Sequence, residues 1–481
     1  MGGNMVTFKS APMAHQMRAI ERAWKRDAFG LFHEMGAGKT FTTINLAAAR
    51  YVEGQIDRLL VVCPTALIDV WHNDYDGGQM KEHCPIPYEV QVMSAGYIPR
   101  WVTDDRLKVF VVGIEALSIK QGRAMKFAWT FTERGHHNTM MVVDESSRIK
   151  NHRSTRTKNV VLLGGRCKSR MALTGTPITQ GIEDLYAQFQ YLDAKVIACP
   201  SWTVFKNRYC LTVPVRGAPQ GVEKIVGYQR MDELLDRIAP YVDVVTKKEC
   251  MDLPDKIYEP NIVVKPSEEQ LRIIRDLRAS YAAEAADRTL TTTTALERMT
   301  RYQQIIGGTF PFQEEGQNEV IPIPGGNPKL EALEQVLEEI PRSAKVIIWA
   351  RFRPEIQYIV RRLSDLYGPD SIREFHGGTV RTERARFVAD FQQDSSVRFF
   401  VSNQSTGGYG ITLTAATYAI YYSNTFSYED RSQSEDRCHR RGTVNHVTYI
   451  NLEMDIKEDR MILLAVKQKR DLADLVTEKL Q

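Results

Sequence analysis

No run of about eighteen consecutive apolar residues occurs in the 481-residue chain, so no segment reads as a membrane span. The seven cysteines are scattered, and no two form a C-x-x-C pair. Their odd count and wide spacing exclude a disulfide framework and a structural zinc site, and imply a reducing compartment. The opening MGGNMVTFKS lacks the apolar core of a secretory signal, and it lacks the Ser or Thr at position six that myristoylation needs. No internal period of about 20–50 residues recurs, which excludes a solenoid. Charge is not one-sided either. Lys and Arg number 63 against 59 Asp and Glu, a net charge of +4. A nucleic-acid partner is permitted only if the basic groups gather in one cleft.

What is present is a well-filled globular composition, 43% apolar and 25% charged, with length for about three domains or two large ones with insertions. Short apolar, β-branched runs recur at Leu59–Val62, Val109–Val112, Met140–Val143 and Met171–Leu173. A second set follows at Val346–Trp349, Phe399–Val401, Ala419–Tyr422 and Val447–Ile450. Helical spacing fills most gaps between them. Buried strands alternating with helices predict parallel sheets covered on both faces, and two sets predict two α/β lobes. Between about Glu183 and Leu277 the pattern reads as mostly helical, and again from Ser267 to Ile306. Pro311 to Pro328 reads as a loop or small hairpin. The expected division is 1–255 and 256–481, with helical protrusions at about 179–250 and 265–328.

The string LFHEMGAGKT, Leu31 to Thr40, carries the strongest chemical signal. A glycine-rich turn opening a helix aims successive backbone N–H groups into one concavity that cradles phosphates. The lysine then reaches the β and γ phosphates, and the following hydroxyl holds Mg²⁺. His33 stands where the usual pattern has glycine. The candidates are Gly36, Ala37, Gly38, Lys39 and Thr40. An apolar strand, MMVVDESS, ends in Asp144-Glu145. Asp144 would bind Mg²⁺ and Glu145 would orient and deprotonate water. After another short strand comes LTGTP, whose Thr174 and Thr176 could bond across to a substrate site or simply form a Ser/Thr turn. In QSEDRCHRRG, Gln433, Arg437 and Arg440 have the spacing QxxxRxxR, which places them on one helical face. Two guanidinium groups there could clamp a phosphate or act as an arginine finger. TGGYGITLTAA, Thr406 to Ala416, is a second glycine-rich loop after a strand, with Gly410 a candidate for close approach to phosphate.

In this order the strings resemble helicase superfamily two, and within it the Swi/Snf-type ATPases. The resemblance covers nearly the whole chain. Gln16 in APMAHQMRAI sits at the adenine-reading glutamine. Leu59–Asp74 and Val111–Ser118 resemble segments that grip a nucleic-acid strand, and RIKN, Arg148 to Asn151, follows the acidic pair as it does in Swi/Snf proteins, where other helicases differ. Lys247–Gln270 is similar to the inter-lobe signature, and KVIIWARF and FHGGT continue the series. The resemblance implies two tandem RecA-like lobes with helical insertions. It implies ATP with Mg²⁺ in the cleft between lobes, with Arg437 and Arg440 arriving from the second. It also implies double-stranded DNA as the track, gripped by phosphate contacts through Thr65, Arg148, Lys150, Thr174, Arg351, His376, Gly377 and Gly378. Translocation and remodelling are then expected. The alternatives are a strand-separating or branch-migrating helicase, and an ATP-gated DNA- or protein-binding module without motor activity. A restriction motor finds no nuclease segment. The chain departs from the family at Ser146-Ser147 (commonly Ala-His), at Ser405 (usually Arg) and at Gly442-Thr443 (usually Gly-Gln). A compact, monomeric, cytoplasmic protein of bacterial or viral origin is the expectation, since no bromodomain-like, zinc-finger or long basic appendage is visible.

Overall fold

The computed structural model describes residues 6–481 apart from 74–76, 95, 97–98, 121, 134–137, 216–221, 288–291, 315–316 and 408–410. The chain divides into two compact units. The first comprises Met1–Thr212, Ile225–Asp252 and Lys469–Gln481, and the second Val213–Lys224 and Leu253–Gln468.

The first unit is built on a seven-stranded, wholly parallel sheet. Its strands are β1 (Ala28–His33), β2 (Arg58–Cys63), β3 (Tyr88–Val92), β4 (Leu107–Gly113), β5 (Thr139–Asp144), β6 (Ser169–Leu173) and a late strand, Val242–Val245. Alternate side chains of each strand enter opposite faces. Leu60 and Val62 pack with Phe110, Met141 and Phe189 on one side, and Leu59 and Val61 with Phe29, Val109 and Trp71 on the other. Two buried faces explain the near-continuous apolar runs in the sequence. Helix α1 (Ala14–Trp24) precedes β1, and helix α2 (Lys39–Val52) follows it.

The stretch expected to be mostly helical is mixed. Helices occupy Asp184–Leu192, Trp202–Tyr209 and Met231–Ile238, but β7 (Cys210–Pro214) and β8 (Glu223–Tyr228) form a hairpin between them. The late strand, β9, then adds to the main sheet beside β1, pairing Leu31 with Asp243. A buried carboxylate interrupts its apolar pattern, which is why VDVV does not announce itself as a core strand.

In the second unit the parallel order is β10 (Lys256–Tyr258), β18 (Val447–Met454), β17 (Ala416–Tyr421), β14 (Lys345–Trp349), β16 (Phe399–Ser402) and β15 (Ile372–Phe375). A short strand, β11 (Ile262–Val264), also pairs β18. Helices Glu268–Asp287 and Thr292–Ile306 lead to β12 (Thr309–Glu314) and β13 (Gln317–Pro322), the small hairpin anticipated at Pro311–Pro328. The contact boundary falls between Asp252 and Leu253. The expected second lobe included everything beyond 256, but 469–481 belongs to the first unit, where Val476 and Leu480 join the core. All seven cysteines are free; six are buried and Cys250 is half-buried.

Tyr191 anchors the first sheet, donating its hydroxyl to the carbonyls of Met141 (2.9 Å) and Met171 (3.3 Å). A Cβ on Gly164 would lie 2.7 Å from its fully buried ring. Gly164→Ala should therefore destabilise the first unit by about 1–3 kcal/mol through overpacking, measured as a lowered denaturation midpoint.

Candidate nucleotide site and strand contacts

Parallel pairing places β5, β6 and β1 side by side, so the loops after all three leave from one edge of the sheet. That edge carries the phosphate-type loop, the acidic pair and LTGTP. Carboxyl ends of parallel strands are the usual ligand edge of an α/β sheet. Gly36 (φ 89°) and Gly38 (φ 81°) adopt the left-handed backbone that turns successive N–H groups inward, and Thr40 lies in the first turn of α2. A Cβ on Gly38 would lie 2.1 Å from Gln16 Nε2, so the candidate base reader and the phosphate loop are in direct apposition. Buried Lys39 donates Nζ to the carbonyl of His33 at 2.8 Å, and among the described residues it has no carboxylate partner within ion-pair distance. The set fits a nucleotide polyphosphate: a cradle of glycines, a cation without an ion pair and a free helix N-terminus.

Asp144 ends β5 and is buried. Burial pushes its carboxyl above the usual range, opposed by the Trp71 indole N–H (2.8 Å), by the charge of Lys39 and by the Glu145 amide. A carboxylate so desolvated suits a metal cation. Glu145 has φ 52° and ψ 58°, a left-handed conformation that costs a non-glycine residue about 1–3 kcal/mol. Ser146, one of the two family departures here, donates its hydroxyl to Gln188 Oε1 (2.8 Å), and Gln188 Nε2 donates to the carbonyl of Pro177 (2.7 Å). Gln188 thus joins the acidic pair to LTGTP. Its only sequence signal is an amide one turn after Asp184 in a largely apolar helix. Thr174 is fully buried, and its hydroxyl accepts from the amide of Thr176 at 3.1 Å. It forms the Ser/Thr turn and is not presented to a nucleic acid.

In the second unit, Gln433 and Arg437 share the helix Tyr428–Cys438, but that helix stops before Arg440. The one-face reading therefore holds for the first pair only. Arg440 sits in the turn that follows, where the Thr443 hydroxyl accepts from its amide (3.1 Å) and bonds the Cys438 and Arg440 carbonyls. Threonine in place of the family's glutamine locks this turn. Arg437 is only 1% exposed and donates to the carbonyl of Ile411 at 3.2 Å. Gly410 lies outside the described residues.

The expected strand-gripping groups stand as follows. Thr65 is exposed, but both its amide (2.9 Å) and hydroxyl (2.7 Å) donate to Glu115 Oε2, a partner the sequence did not single out. Lys150 donates to the Thr179 hydroxyl at 2.7 Å, and Arg148 lies in the short turn Ser146–Ile149. Arg351 keeps one buried guanidinium nitrogen without a hydrogen-bond partner among the described residues, a donor suited to an anion. His376 accepts the Gly378 amide at Nδ1 (2.9 Å) and meets Glu374 at Nε2 (3.0 Å), which shapes an exposed turn with Gly377.

Helix Tyr428–Cys438 is fixed by a buried ionic cluster. Glu435 bonds Lys256 (3.1 Å), Arg431 (2.8 Å) and the Tyr258 hydroxyl (2.7 Å). Burial raises the Glu435 carboxyl, but Lys256, Arg431 and Tyr258 outweigh it and hold it down at about 2. An unfolded glutamate titrates near 4.3, so the cluster contributes roughly 3 kcal/mol at neutral pH that is lost as pH falls from about 4.5 toward 2. Glu435→Gln should remove that acid dependence and lower the melting temperature at pH 7, since it leaves Lys256 and Arg431 under-compensated. Thermal melts across a pH series test this.

Residues 15–307 match the SNF2-related domain, and residues 328–442 match the helicase conserved C-terminal domain. The chromodomain-helicase-DNA-binding protein 1-like of Danio rerio is 25% identical over 93% of this chain and 41% of its own length. The putative ATP-dependent helicase/translocase YwqA of Bacillus subtilis is 24% identical over 92% and 46%. The chain spans less than half the length of these relatives. Among solved structures, the Sulfolobus solfataricus SWI2/SNF2 ATPase core in complex with dsDNA is 20% identical, with a TM-score of 0.43 over 99% of this chain and 95% of that one.

Proposed function

We propose that this protein, which belongs to the SNF2-related family, is a DNA-dependent ATPase that translocates on double-stranded DNA and remodels DNA or protein–DNA complexes. The observation that carries the reading is the convergence of Lys39, Asp144 and Gln16 on one sheet edge, with the charge of Lys39 felt at the buried Asp144 carboxyl.

In this reading Gln16 recognises the adenine, and the amides of Gly36, Ala37 and Gly38 with Lys39 bind the phosphates. Thr40 and Asp144 would hold Mg²⁺, which supplies charge neutralisation at the phosphates. Glu145 orients the attacking water and takes its proton. Gln433 stays with the nucleotide-binding set. Arg440 serves as the arginine finger, while buried Arg437 positions the segment around Ile411. Such a site acts through placement and charge stabilisation. Contacts with DNA fall on phosphates through Thr65, Arg148, Lys150, Arg351 and the His376–Gly378 turn, so binding is independent of sequence and weakens with salt.

Lys39→Ala or Glu145→Gln should abolish ATP hydrolysis and leave duplex binding intact; turnover retained by either would refute the site. Duplex DNA should stimulate the ATPase of the intact chain, and a triplex-forming strand should be displaced without separation of the duplex. Duplex unwinding in the same assay would support the strand-separating alternative.

A further inference from the structure

His33 stands where a phosphate loop ordinarily has glycine, and its side chain has a definite destination. It is fully buried, and its Nε2 lies 2.8 Å from Asp243 Oδ2 on β9. The same carboxylate accepts from two arginines of α1. Arg18 Nε lies 3.1 Å and Arg22 Nη1 2.8 Å from Asp243 Oδ1. Arg18 and Arg22 also donate to the carbonyls of Val244 and Ala239. Burial pushes the His33 imidazole down, only partly opposed by Asp243, while for Asp243 burial is outweighed by hydrogen bonds from His33 and Arg18, leaving it below the ordinary range. The pair is therefore a neutral imidazole donating to an anionic carboxylate. Its other nitrogen, Nδ1, has no hydrogen-bond partner among the described residues.

The arginines belong to one face of α1. His15, Arg18 and Arg22 recur at three- and four-residue spacing, and His15 Nε2 reaches the carbonyl of Ala37 in the phosphate loop at 2.8 Å. Gln16 is on this helix as well, with its Oε1 accepting from the Met13 amide, so its amide nitrogen is the end directed at Gly38. The strand that carries Asp243 supports the loop at further points. Glu34 N donates to the Val245 carbonyl at 2.9 Å, and Lys247 N donates to Glu34 Oε2 at 2.6 Å. Lys39 in turn bonds the His33 carbonyl. One buried carboxylate therefore joins the start of the phosphate loop to the helix bearing the candidate base reader.

We propose that Asp243, bound by His33, Arg18 and Arg22, is a positioning residue that sets α1 against the phosphate loop and thereby sets the base selectivity of the nucleotide site. This rests on the assignment of Gln16 to the base and of the loop to phosphates. A ligand spanning both must find them at a fixed separation. Loosening α1 costs the base contact and leaves the phosphate contacts, so the loss falls on ATP more than on a nucleotide whose base Gln16 does not read.

The test compares ATP and GTP turnover by the full chain with duplex DNA, alongside equilibrium binding of a fluorescent ADP analogue. Gln16→Ala should reduce ATP-over-GTP selectivity about tenfold. Asp243→Asn should raise KM for ATP about tenfold, with kcat held within about threefold and KM for GTP within about twofold. Arg18→Gln, at a side chain 47% exposed and so tolerant of replacement, should move selectivity the same way by about threefold. His33→Gln keeps an N–H donor and should retain more selectivity than His33→Ala. If Gln16→Ala lowers selectivity while Asp243→Asn and Arg18→Gln leave it unchanged, the positioning role is overturned. Lowered melting temperature with unchanged selectivity would show the same. If Gln16→Ala itself changes nothing, the base assignment falls and takes this inference with it. Should Asp243→Asn fail to fold, Arg18→Gln and Arg22→Gln decide the question.

Discussion

Strands hydrogen-bonded in parallel present all their carboxyl ends on one edge, so every loop that leaves there meets its neighbours' loops. In the first unit this places the phosphate-type loop after β1, LTGTP after β6 and the acidic pair after β5 within one row. No single residue arranges that. The row follows from burying apolar strands on both faces, and the polar groups at its edge are then held by few bonds of high consequence: Trp71 on Asp144, Gln188 between Ser146 and Pro177, Lys39 on the His33 carbonyl.

Much of this was legible in the residues. All eight apolar runs lie in or at the end of sheet strands, because a strand covered on two faces needs a continuous apolar string. The glycine loop was legible because left-handed backbone at Gly36 and Gly38 is chemistry that only glycine supplies cheaply. β1, AFGLFH, is not among the marked runs although it is buried throughout, and three other strands outside those runs have charge or polarity inside them. β3 mixes Glu89 and Gln91 with valines, β15 contains Arg373 and Glu374, and β9 buries Asp243. Each departs from the pattern for an identifiable reason. Asp243 is tolerated in a core strand because four donors from three side chains meet it.

Side-chain partnerships were less accessible. Nothing in the spacing of Thr65 and Glu115 announces that one carboxylate oxygen takes both donors of the threonine, and helical periodicity placed Arg440 on a helix that ends two residues earlier. The stop is explained by the turn that Thr443 closes, with Gly442 at φ 98° supplying the left-handed step. Ser146 and Thr443, both departures from the family's usual residues, each make a hydrogen bond that organises a site segment, so neither position is idle.

The state of the thiols has a practical corollary. Burial pushes the Cys84, Cys210, Cys250 and Cys438 thiols above their ordinary range, but Cys250 alone is half-open to solvent. An alkylating dye would therefore modify one native position first, next to Met251, whose methyl packs against Gly36 of the phosphate loop. A fluorophore there would sit beside the glycine loop at Gly36 without any engineered cysteine.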